Sequence, residues 1–411
     1  VKSTVASAFN PRANSIGFVR WLMAFMVIFS HAGPLGGFYG GKDLGTQFSN
    51  EQSLGGVAVA GFFFLSGFLI TKSKMGRSST PRFFWRRITR IYPAFWATLL
   101  VTAFILAPIA WMKETGSIDG FFTAPVDSPL TYFYNNMTLL MRQPSIAEMG
   151  TTIPFYTLHG GFEWNGSAWT LAFEFGAYIL VGVLGIIGAL TNRVLGTAVA
   201  FLIIVLATVQ WLRIPMTEFG PAFSDFRMLL LLAPFAFGIL FALWGEKIPL
   251  DDRFAIVAIL VALATYAFGG WLVFGQYFFL YFLMWFAIRV KFLNRWERFG
   301  DFSYGIYIIA WPLMQFAAYF HLQDYGWLVY HVVIVVGCHI YAFLSWHLIE
   351  KPAMSLKNWT PKWLSKLIAV TDPWWEPWRR LRTRLNFPSG PPAPEPVTAP
   401  ASDVQPKVAS S

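Results

Sequence analysis

The chain has 411 residues, of which 56% are hydrophobic and only 13% charged, with a formal net charge of +10 and one cysteine. A soluble chain carries about 25% charged residues, so this much apolar surface calls for lipid as its solvent. The lone Cys338 excludes a disulfide scaffold and any cysteine-rich metal site.

About 20 mostly apolar residues are needed for a helix to cross the hydrocarbon core. Stretches of that kind predict spans near 17–33, 55–71, 91–111, 167–189, 195–212, 227–245, 254–269, 271–289, 303–321 and 327–349. The expected fold is all-α: a polytopic membrane protein with ten transmembrane helices. The two spans between 254 and 289 are divided only by Gly269 and Gly270. Cytoplasmic loops are enriched in Lys and Arg. With the N-terminus inside, 25 of the 31 Lys and Arg fall on that side and five outside. Both termini are therefore expected in the cytoplasm and the protein in the inner (plasma) membrane. The positive charge then serves topology and contact with anionic membrane lipids, and nucleic acid is not expected as a partner.

Two stretches do not span. Residues 112–166 form a long outer segment, too long for a bare connection, which suggests a lid or a partly re-entrant element. After the transmembrane domain (1–352), residues 353–387 mix Trp with Arg, a composition suited to the membrane interface. Residues 388–411, rich in Pro and Ala, are expected to be disordered.

Ionisable residues within a span are costly and mark functional sites. The first span holds Arg20 and His31. Eleven residues put them roughly 16 Å apart along a helix axis and within about 20° of one face. Their polar stripe runs through most of the membrane. Glu174 enters the fourth span about two turns in, at an expected depth near that of His31. An unpaired carboxylate there is expensive, so pairing with a histidine or a bound hydroxyl is expected. In the basic loop before the third span, Arg86 and Arg90 share a face at i, i+4 and could grip a phosphate. Ser66 has no base beside it in the sequence and is expected, with Gly67, to allow close helix packing. His331, His339 and His347 recur every eight residues and so do not share a face, which argues against a metal site. Glu350 reads as a structural ion pair or inner gate with Lys351.

Six segments, in order, resemble the membrane-bound acyltransferase-3 family. They are Arg20 with His31 after ten intervening residues, Phe62 to Ile70, Arg86 to Pro93, Ser167 to Glu174, Ser303 to Pro312 around Tyr304, and His347 to Pro352. The resemblance runs from about Asn14 to Pro352. One position departs: many members have His before the Trp-Pro of the ninth span, and here it is Ala310.

The resemblance implies transfer of an acyl group, most often acetyl, from cytoplasmic acyl-CoA to a hydroxyl of an envelope glycan or glycolipid. Acyl-CoA is then a co-substrate, with no permanently bound cofactor. Arg20, Arg86 and Arg90 are expected to hold the nucleotide phosphates, and His31 to act as general base or transient acyl carrier. Glu174 is expected to orient His31 or the acceptor. A transporter or flippase of an envelope precursor would also explain the helices and the polar stripe, but not the six ordered motifs.

Overall fold

The structure, a computed structural model, describes residues 3–75, 79–212, 226–359, 361–363 and 365–370. The expected disordered tail at 388–411 and most of the Trp/Arg-rich segment, including Trp374, Trp375, Trp378 and the run 379–382, lie outside those residues.

Ten long helices occupy the ten predicted spans. They are α1 (Ile16–Gly36), α2 (Leu54–Met75), α3 (Thr80–Val101), α4 (Trp169–Ile186), α5 (Arg193–Trp211), α6 (Phe226–Trp244), α7 (Asp252–Phe268), α8 (Gln276–Arg289), α9 (Ser303–Tyr319) and α10 (Trp327–Ser345). Among the described residues, eight spans are long and apolar enough to cross a bilayer by length and composition. The helices α7 and α9 have 17 residues each, a little short by the same measure. Apart from a single bridge between Thr4 and Pro249, regular structure among the described residues is helical. This is an all-α polytopic membrane protein.

Among the described residues, three single turns of π-helix extend these elements: Thr102–Leu106 after α3, Trp271–Gly275 before α8 and Trp346–Glu350 after α10. The last of them turns Glu350 into the protein interior, where it is 2% exposed.

Small residues let the central helices approach closely, because lipid offers no hydrophobic drive between them. A Cβ on Gly67 of α2 would overlap the Phe235 carbonyl oxygen of α6, and one on Gly238 would overlap the Phe64 carbonyl oxygen. The helix α1 runs through the middle and packs against α2 and α9. The most continuously buried helix is α9, with Ser303 to Pro312 unbroken in the interior.

The segment between α3 and α4 does re-enter the bundle. Trp164 stacks on Tyr319 (ring centroids 5.9 Å apart), and both Trp311 Nε1 and Gln315 Nε2 donate to the Glu163 carbonyl at 2.9 Å. Asn165 Nδ2 donates to the Ile308 carbonyl at 3.0 Å, and Tyr307 Oη to the Ser167 carbonyl at 3.1 Å. Glu163 to Ser167 thus lie along the face of α9 between Gln315 and Tyr307. Their backbone groups take side-chain donors as partners, which is how irregular chain survives at that depth. The helix α4 therefore starts inside the bundle, not at its outer rim.

Candidate active site

Between α1, α2, α3, α4 and α9 lies a cavity of about 870 Å³, counting the open solvent space at its mouth. One end holds Arg20, Arg87 and Arg90; the walls carry Ser66, Glu174, Tyr178 and Tyr304; Val59, Phe62 and Tyr307 line the other end. The cationic end lies towards the start of α1 and the apolar end towards its middle. A molecule with an anionic head and an apolar arm matches that gradient.

The cations are not equivalent. Arg20 Nη1 donates to Asp301 Oδ2 at 2.6 Å, and Arg90 Nη2 donates to the same oxygen. Arg90 Nη1 also lies 3.5 Å from Glu350 Oε2, and Ser345 Oγ donates to the other Glu350 oxygen at 3.0 Å. Two of the expected phosphate-binding arginines are thus already matched by carboxylates. Burial alone would raise the Asp301 carboxyl; Arg20 and Arg90 overcome it and hold the group well below the usual carboxylate range. Glu350 pairs with Arg90 across the interior.

Arg86, the third expected phosphate ligand, does not line the cavity; its Nη2 donates to Asn358 Oδ1 at 3.3 Å. Its neighbour Arg87 does. Among the described residues no carboxylate lies within ion-pair distance of Arg87, and its Nε is buried with no hydrogen-bond partner. Its guanidinium lies 5.9 Å from the ring centroids of both Phe83 and Tyr178. Choosing i, i+4 in the basic loop picked the pair Arg86 and Arg90; the cavity takes the i, i+3 pair Arg87 and Arg90.

Glu174 also sits elsewhere than its sequence position suggests. The Tyr178 hydroxyl donates to Glu174 Oε1, and Ser66 Oγ lies 3.5 Å from the same oxygen. Ser66 thus faces a carboxylate in the cavity and does not serve helix packing alone. Tyr304 lines the same space and donates its hydroxyl to the Ile91 carbonyl at 2.8 Å. Because α4 begins deep in the bundle, Glu174 falls towards the cationic end, not at the depth of His31.

His31 does not line the cavity. Its ring meets the Trp311 ring edge-on, with centroids 4.8 Å apart, and its Nδ1 is buried with no partner. Trp311 lies one turn of α9 above Tyr307, which packs on Phe62 at 5.8 Å and receives or gives a hydrogen bond at the Thr170 hydroxyl. One face of α9 thus presents Tyr304 and Tyr307 to the cavity and Trp311 to His31. At the position of the family's second histidine, Ala310 is fully buried and offers no polar atom.

The acyltransferase-domain family matches residues 14–363 of the sequence, which is most of the chain. The protein belongs to the acyltransferase-3 family. Among curated relatives, an "O-acetyl transferase" of Shigella phage Sf6 is 28% identical over 356 residues, 83% of this chain and 96% of that protein. "Nodulation protein 10" of Rhizobium leguminosarum bv. viciae is 26% identical over 380 residues, 84% of this chain and 94% of that one. "Acyltransferase MdmB" of Streptomyces mycarofaciens is 27% identical over 170 residues, 41% of this chain and 38% of that protein. No solved structure matches. As a membrane acyltransferase the protein uses an acyl donor and an acceptor. The residues that sequence reasoning missed in this acyltransferase are Arg87, one position from the chosen Arg86, and Asp301, which reads as an ordinary loop acid 281 residues from Arg20.

Proposed function

We propose that this membrane acyltransferase moves an acyl group, acetyl by preference, from acyl-CoA to a hydroxyl of an envelope glycan or glycolipid. The observation that carries the reading is the cavity's polarity: at one end a half-buried Arg87 with no carboxylate partner among the described residues, at the other the apolar Val59 and Phe62 with Tyr307, and His31 against Trp311 one helical turn along α9 from Tyr307. The asymmetric distribution of Lys and Arg supports a cytoplasmic Arg87 end, on the side where acyl-CoA is made.

In this account Arg87 takes the nucleotide phosphates, and Arg90 and Arg20, braced by Asp301, keep that end positive. Phe62, Phe63 and Val59 line the route of the pantetheine arm towards Tyr307. Glu174, held by Tyr178 and facing Ser66, contacts the arm rather than His31. His31 takes the proton from the acceptor hydroxyl as its oxygen bonds to the thioester carbonyl carbon. The carbon–sulfur bond then breaks, and the thiolate leaves with the proton returned by His31, giving acyl ester and free CoA. The thioester reaches His31 only when Phe62 and Tyr307 part.

Membranes carrying the protein, given radiolabelled acetyl-CoA and the host's own envelope acceptors, test the reading. Label enters an envelope glycan or lipid with wild type and not with His31→Ala. Equal labelling by the two proteins removes His31 from the reaction.

A further inference from the structure

His31 needs a negative group to hold the proton it takes, and Glu174 is committed to Tyr178 and Ser66 in the cavity. A different carboxylate stands at the His31 end. Residues 37–53 fold back over the end of α1. They come so close that the Lys42 carbonyl oxygen would overlap a Cβ on Gly33, so only glycine permits the contact. That fold places Asp43 against Ser30, the residue beside His31 on α1, and the Ser30 hydroxyl donates to Asp43 Oδ2. The other oxygen, Oδ1, accepts from Gly45 N at 2.6 Å and from Leu54 N, the first residue of α2, at 2.8 Å.

Three donors on three pieces of chain therefore fix this one side chain, two of them backbone N–H groups. Other titratable groups face the region from its remaining sides. Glu163 and His159 lie on the re-entrant arm behind Trp311, and Tyr266 of α7 lies beside Gly45. None of them is joined through a hydrogen bond to the α1 turn that carries His31, as Asp43 is.

We infer that Asp43 is the positioning carboxylate of the site: through Ser30 it fixes the turn of α1 that bears His31, and its charge stabilises the imidazolium formed during transfer. The inference rests on His31 acting as the base. It commits the loop after α1 to catalysis, with the carboxylate reaching His31 from the outer side and not from the donor cavity.

Asp43→Asn is the informative variant, since its amide oxygen can still accept from Gly45 and Leu54 while the charge is gone. Initial rates with acetyl-CoA are measured across pH, beside acetyl-CoA binding and thermal stability as controls for folding. Loss of a nearby negative charge lowers a histidine's proton affinity. The acid limb of kcat/KM therefore moves to lower pH by at least about half a unit, and kcat falls about tenfold or more while KM for acetyl-CoA stays within about twofold. Asp43→Glu restores the wild-type limb. If Asp43→Asn binds acetyl-CoA and keeps the wild-type acid limb, while His31→Ala is inactive, Asp43 has no such role and the base reading stands. Normal transfer by His31→Ala overturns both.

Discussion

Arg20 Nη1 lies 2.6 Å from Asp301 Oδ2, so a charge that the sequence offers to a ligand is already paired within the protein. Arg90 shares that oxygen. The consequence is a division among cations that look alike in the sequence: Arg20 and Arg90 are paired with Asp301, while Arg87 lines the cavity with no carboxylate within ion-pair distance among the described residues and is the donor ligand in the proposed function.

Removing Asp301 should therefore act on folding before it acts on chemistry. Breaking a fully buried ion pair costs about 3–5 kcal/mol because the partner stays buried without compensation, and this part-buried, shared pair should cost somewhat less. Asp301→Ala is expected to lose most of its folded population in detergent, whereas Arg86→Ala leaves the melting temperature near wild type. The pH dependence has a definite sign. Asp301 is depressed in the native state, so its contribution is present above the usual carboxylate range and declines as pH falls through its native pKa. Asp301→Asn loses that term, and its stability deficit is largest at neutral pH and shrinks on acidification. Thermal unfolding from pH 5 to pH 2, which runs from above the usual carboxylate range to below it, reads this directly.

Arg87→Ala should raise KM for acyl-CoA by about 10- to 100-fold, the range for a lost charge-assisted hydrogen bond of about 1.5–3 kcal/mol. Arg86→Ala, at a side chain outside the cavity, should change it less than about threefold. Direct binding of acetyl-CoA to the two purified variants separates them, and equal losses would place the phosphates at Arg86 after all.

Glu174→Gln should weaken donor binding and leave the acid limb of the pH–rate profile in place, because Glu174 contacts Ser66 and Tyr178 and not His31. Ser66→Ala should have a small effect, under about 1.5 kcal/mol in binding, since a 3.5 Å contact is a weak hydrogen bond. A pH profile displaced by Glu174→Gln would return Glu174 to the neighbourhood of the base.

Gly67→Val should fail for a packing reason alone. The side chain would meet the Phe235 backbone across the α2–α6 contact, where neither backbone can yield cheaply. Overpacking of this kind costs about 1–3 kcal/mol or more. Expression and monodispersity drop, and a second-site Phe235 side-chain truncation does not rescue them.

The ten spans were readable because hydropathy and length are local properties, and each falls on a helix. The face shared by Arg20 and His31 was readable for the same reason, being fixed by helical pitch. Depth was not. Glu174 looks level with His31 if α4 starts at the membrane surface, but Asn165 and Ser167 bond to α9 deep in the bundle, and that displaces the whole helix. Pairing across the fold was hidden too, since Asp301 meets Arg20 and Arg90 only after α9 packs between α1 and α3. The Asp43 loop carries no motif; its place depends on Gly33 admitting the chain.

The most direct test of the account is acetyl transfer and acetyl-CoA binding measured side by side on His31→Ala and Arg87→Ala in the same membranes. The account predicts that His31→Ala binds acetyl-CoA but transfers nothing, and that Arg87→Ala binds poorly yet transfers when acetyl-CoA is raised. Transfer by His31→Ala at the wild-type rate, or normal acetyl-CoA affinity in Arg87→Ala, would contradict it.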